Sequence, residues 1–150
     1  MLQQALDFQN ESDALYDLLK PLGEEDFERK TLFKDWTIND ILQHLHIFNY
    51  AAYLSLTDED AILKFLADLK AGREVGETLL TFTDKRLNGL KGRALLAEWR
   101  DYYTGMVPAF RDADPKKRLK WAGPDMSVLS SITARLMETW SHAQAIYDLL

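Results

Sequence analysis

Cysteine is absent from this chain of 150 residues, which excludes disulfides, thiolate metal sites and a cysteine nucleophile. Any thiol chemistry must therefore use a sulfur brought in by a ligand. Long apolar runs are absent too. Nothing approaches the roughly 18 apolar residues of a membrane span, and the acidic N-terminus lacks the charged-then-apolar layout of a secretory signal. No membrane association is expected, and a cytoplasmic location follows by default. Positive charge is in short supply: 18 Lys and Arg face 24 Asp and Glu, a formal net charge of −6, which repels nucleic acid and anionic membrane. The dense basic run Lys116, Lys117, Arg118 and Lys120 has only Trp121 as an aromatic neighbour. It reads as a solvated loop, with a weak anion-binding patch as the sharper alternative.

What is present is enough apolar material for one domain. A hydrophobic content of 47% over residues 1–150 supports a sizeable core without staples. Phe8, Leu15, Leu18, Leu19 and Leu22 recur at helical spacing until Pro21 and Gly23 stop them, predicting a first helix to about Lys20. Asp35 or Thr37 can cap a second helix carrying Ile38, Ile41, Leu42, Leu45, Phe48, Ala52 and Leu56. Thr57, followed by Asp58, Glu59 and Asp60, resembles the capped acidic start of a third, continued by Ile62, Leu63, Leu66 and Leu69. A fourth runs through Leu95, Trp99, Tyr103 and Val107, where Pro108 should kink or end it. Asp112 to Asp125 is the longest loop candidate, with room for a short lid. The last helix, from about Ser127 to Leu150, aligns Leu129, Ile132, Leu136, Trp140, Ala143, Tyr147 and Leu150, and its opposite face becomes apolar toward the end, so it should be largely buried. Short connections without period-2 strands predict an all-α, up-and-down bundle of four or five helices, with room for short extra ones.

Two polar interruptions stand out. Glu138 and His142, four apart, project from one side of the last helix beside Ala145, Ile146 and Leu149. A carboxylate and an imidazole on such a face are costly to bury unpartnered, and a metal would satisfy both. The bland alternative is a hydrogen-bonded pair, with Arg135 as a neighbour of Glu138. His44 shares a side of the second helix with Ile41, Phe48 and Ala51 and can face another helix. His46 points to the other side and reads as a boundary residue. His44, Glu138 and His142 together would make a set of two His and one carboxylate with an open position, as in catalytic zinc sites.

Residue wording joins these positions. Asp35-Trp36-Thr37-Ile38 leading to Leu42-Gln43-His44-Leu45, and the segment from Ala134 to Gln144 with Glu138, Thr139, Trp140 and His142, resemble the DinB/YfiT-like superfamily of metal-binding four-helix bundles. They look closest to its mycothiol-dependent maleylpyruvate isomerase N-terminal branch. The resemblance implies that His44, Glu138 and His142 are the ligands of a divalent metal, Zn2+ by expectation, with a low-molecular-weight thiol as cosubstrate. It implies a thiol-using transferase or isomerase whose partners are small molecules and for which a homodimer is allowed. A zinc-dependent hydrolase and a non-catalytic metal- or ligand-binding module are the alternatives. Ala145 departs from the branch, which often carries an acidic residue there. The branch also implies a further α/β domain, so the chain reads either as a compact single-domain relative or as the N-terminal part of a longer protein. Trp36, Phe48, Trp121 and Trp140 could line a substrate pocket, and Lys116, Lys117 and Arg118 could hold a carboxylate above it.

Overall fold

The structure, a computed structural model, describes every residue from Met1 to Leu150. Helix α1 (Gln3–Leu19) is followed by a 3-10 turn at Glu24–Glu28, then α2 (Ile38–Thr57), α3 (Glu59–Glu74), α4 (Leu79–Arg86), α5 (Gly92–Arg111) and α6 (Val128–Leu149). Two-residue strands β1 (Arg118–Leu119) and β2 (Met126–Ser127) pair antiparallel, with Arg118 opposite Ser127. No helix is long and apolar enough to cross a membrane.

The long helices α1, α2, α5 and α6 contribute most of the main core: α1 and α2 each pack on both α5 and α6. Phe8, Leu15, Ile41, Leu45, Trp99, Tyr103, Ile132 and Ile146 are fully buried within it. A smaller cluster of Ile47, Ala51, Ile62, Phe65 and Phe82 seats α3 and α4 on the other side of α2. Helix α2 is thus covered on opposite faces, which explains why most of its residues are buried.

Helix starts follow capping chemistry. Thr37 caps α2 in a reciprocal box with Asp40, whose carboxylate returns to the Thr37 N–H. Ser127 caps α6. Asp58, not Thr57, caps α3, because Thr57 stays within α2 and gives its hydroxyl to the Tyr53 carbonyl. Two expectations are corrected. Helix α5 does not end at Pro108 but continues to Arg111, since one missing amide costs a single bond near the helix end, while Phe110 gains complete burial. The loop after α5 contains the β1–β2 hairpin, too short to show a period in sequence. Helix α4, bounded by the Thr78 cap, is a short extra helix of the kind allowed for, at a place that eight residues of little periodicity do not mark.

The rotation of α6 also differs from expectation. Its buried face is Val128, Ser131, Ile132, Arg135, Thr139, Ala143 and Ile146, whereas Trp140 is 49% and Met137 54% exposed. The apolar stripe in the sequence is misleading because Arg135 and Thr139 are satisfied internally. Thr139 gives its hydroxyl to the Arg135 carbonyl, and Arg135 bonds across to α2.

Candidate metal centre

Helices α2 and α6 face one another, and this packing brings together three side chains separated by almost a hundred residues. His142 Nε2 lies 2.9 Å from Glu138 Oε2, and His44 Nε2 lies 3.6 Å from the same oxygen. The first is a close ion-pair distance, and the second is a longer contact between polar groups. One donor atom from each of the three residues lies within 4.8 Å of the others, and no fourth His, Asp or Glu joins them. Their separations suit one cation that replaces the proton between imidazole and carboxylate.

The imidazoles are mostly buried, with side-chain exposures of 12% for His44 and 13% for His142, while Glu138 is 45% exposed. Aromatic rings enclose them. Trp36 stacks parallel to His142 with centroids 6.0 Å apart and meets His44 edge-on at 5.4 Å. Phe33 meets His142 edge-on at 5.1 Å, and Phe48 packs on His44 at 4.9 Å. Phe33 and Trp36 belong to a tight loop closed by Trp36 N–H bonding the Phe33 carbonyl and by two bonds from Thr31 to the Trp36 carbonyl. Between them Lys34 and Asp35 take positive φ values of 53° and 59°, a conformation disfavoured for residues with a Cβ. The loop spends that strain on presenting both rings to the histidines.

Electrostatics favour metal-ready protonation states. Burial lowers the pKa of His44, assisted by the charges of His142 and Arg135 and opposed by Glu138. Glu138 is held far below the ordinary carboxyl range, first by His142 and then by His44, although burial acts in the opposite direction. A neutral imidazole and an ionised carboxylate are what a divalent cation requires. One feature opposes binding: the buried Nδ1 of His44 has no hydrogen-bond partner, although metal-bound imidazoles usually have one on the second nitrogen.

Arg135 lies one turn before Glu138 but does not pair with it. It is buried, donates from Nε to Asn49 Oδ1 at 3.0 Å, and makes a longer contact with the Leu45 carbonyl. It thereby ties α6 to the turn of α2 that follows His44. Burial lowers its pKa to about 10, so it remains a cation at neutral pH. His46 is outside the cluster and more buried than a boundary residue. At 7% exposure it packs edge-on against Tyr102.

A family model described as the mycothiol maleylpyruvate isomerase N-terminal domain matches residues 8–147. The chain belongs to this family. Within the mycothiol maleylpyruvate isomerase N-terminal domain family, two relatives are uncharacterised proteins of Mycobacterium tuberculosis, from strains CDC 1551 and H37Rv. Each is 30% identical over 144 residues, covering 96% of this chain and 55% of the relative. The chain therefore spans about half the length of the curated relatives it matches. No solved structure matches significantly.

Of the residues expected near this family's site, the structure brings Trp36 and Phe48 against the histidines and places Trp121 beside Phe48, with ring centroids 6.5 Å apart. Trp140 faces outward. The basic run does not cover the centre: Lys117 reaches the Leu56 carbonyl, Arg118 the Asp125 carbonyl and Lys120 the Asp125 carboxylate. Phe33 and Asn49 were missed. A loop aromatic carries no periodicity, and an asparagine on an apolar helix gives no sign of its partner.

Proposed function

We propose that His44, Glu138 and His142 hold one divalent ion, zinc by the chemistry of the donor set, and that the protein is a metal-dependent transferase or isomerase using a low-molecular-weight thiol. The observation that carries this reading is the convergence of two imidazole nitrogens on one carboxylate oxygen without a fourth protein donor. Structural zinc sites are closed by four protein ligands, whereas catalytic ones leave a position open. The four long helices are read here as an up-and-down bundle, an architecture whose facing helices can build such centres.

When bound, the ion supplies Lewis acidity at its open position, lowering the pKa of a thiol or water there. The chain supplies the rest. His44 and His142 contribute neutral donors, and Glu138 balances one unit of charge. Trp36 and Phe33 fix the plane of His142 and keep water from its flanks. Because this chain has no cysteine, a sulfur nucleophile must come from outside it, in agreement with the mycothiol of the family description. That requirement is met in the cytoplasm. Hydrolysis is the weaker reading, since no further carboxylate or imidazole joins the cluster as a general base.

Cobalt substitution tests the proposal. The cobalt protein should show visible absorption that gains a sulfur-to-metal charge-transfer band when a small thiol is added, with both features lost in His142→Ala. Cobalt absorption unchanged by every thiol tried would remove the thiol from the reading. Failure of wild-type protein to bind cobalt or zinc would remove the metal.

A further inference from the structure

Two cavities open on the side of α2 that carries α3 and α4, and the second reaches Phe48 beside the metal centre. A cavity of about 600 Å³ is lined by Leu66, Leu69, Lys70, Arg73 and Trp121 among others. A second, of about 480 Å³, is lined by Phe48, Leu69, Arg73, Leu79 and Phe82 among others. Leu69 and Arg73 line both, so the two form one cleft that narrows at these residues. Each half falls within the usual volume of a small-molecule site. Phe48 connects the cleft to the centre, lining the second cavity while its ring packs on His44 at 4.9 Å.

The charges lining this cleft leave cations in excess. Neither Arg73 nor Lys70 joins an ion pair, whereas neighbouring Lys64, Lys85 and Arg86 are all paired with carboxylates. Glu77, on the cleft wall, is neutralised by Lys85 at 2.9 Å. Two free cations remain against a single free carboxylate, Glu74, in a protein of net charge −6. A cationic waist between leucine and aromatic walls is complementary to an organic anion with an apolar body.

We propose that this cleft binds an organic acid with an aromatic or branched apolar body. The body packs on Leu66, Leu69 and Trp121, and Arg73 takes the acid group with Lys70 in support. Trp121 and Phe48, with ring centroids 6.5 Å apart, would stand between such a ligand and His44. The proposal does not require a metal, and it is tested on chelator-treated protein so that its outcome is separate from that of the metal reading.

The probe is anilinonaphthalene sulfonate, an aromatic anion that fluoresces when it leaves water, compared with phenylnaphthylamine, its neutral counterpart. Titration at fixed salt should show saturable binding of the anion by the wild type. Arg73→Gln should weaken that binding about tenfold, the value of one charge-assisted contact, and Arg73→Lys should recover most of it. Both variants should leave the neutral probe within about twofold of wild type. Lys64→Gln removes the same charge from the same helix outside the cleft and should change neither probe, and Trp121→Ala should weaken both. The proposal is overturned if the wild type does not bind the anion saturably, if Arg73→Gln and Lys64→Gln weaken it equally, or if Trp121→Ala leaves both probes unaffected.

Discussion

Replacing Glu138 by glutamine separates metal binding from ordinary side-chain pairing, because the two make different demands on that carboxylate. Without metal, Glu138 is nearly half exposed and its contact with His142 is an i,i+4 pair open to solvent on the carboxylate side. Such pairs contribute about 0–1 kcal/mol, and glutamine keeps the shape and one carbonyl acceptor. The metal-free variant should therefore unfold within a few degrees of wild type. With zinc, the wild type gains RT ln(1 + [L]/Kd), about 2.7 kcal/mol at a hundredfold excess over Kd. For a domain of this size that raises the midpoint by roughly 5–10 °C. The variant has lost the only anionic donor of the cluster and should lose most of that rise. The assay is thermal unfolding followed by far-UV circular dichroism, with zinc and then excess chelator, at constant protein concentration. A zinc-dependent rise of equal size in Glu138→Gln would refute the reasoning, as would its absence from the wild type.

Three further perturbations check other parts of the structure. Arg135→Ala removes the guanidinium that spans α6 and α2 and leaves Asn49 Oδ1 without its donor; the loss should be about 2–4 kcal/mol, read from the urea midpoint. Burial lowers His46 to about 4. The unfolded chain therefore takes up a proton near pH 6.5 that the folded chain refuses, so stability is retained above pH 6.5 and lost as pH falls toward 4. That contribution is on the order of 3 kcal/mol, and urea melts of chelator-treated protein should show a flatter pH dependence in His46→Phe. Trp36→Leu removes the ring stacked on His142 and should weaken zinc binding roughly tenfold in a competition titration against a chromophoric chelator, as loss of other supporting contacts does.

Elements whose information is local were legible from the residues alone. Apolar spacing located α1, α2, α3, α5 and α6, and Asp35 or Thr37 marked the start of α2, because periodicity and capping act within a turn or two of the chain. The three site candidates were legible too, but only through residue wording: a glutamate and histidine four apart on one helix and a histidine on another say nothing about each other's position. Tertiary structure decided what depends on rotation and contact. The buried face of α6 turns on Arg135 finding Asn49 and Leu45 across the interface, which no apolar pattern records. The outward position of Trp140 is the consequence of that rotation. The unpaired Arg73 was just as illegible, since an arginine in the last turn of an exposed helix gains its meaning from the two cavities it separates, and these exist only once α3, α4 and the Trp121 loop have packed around Phe48.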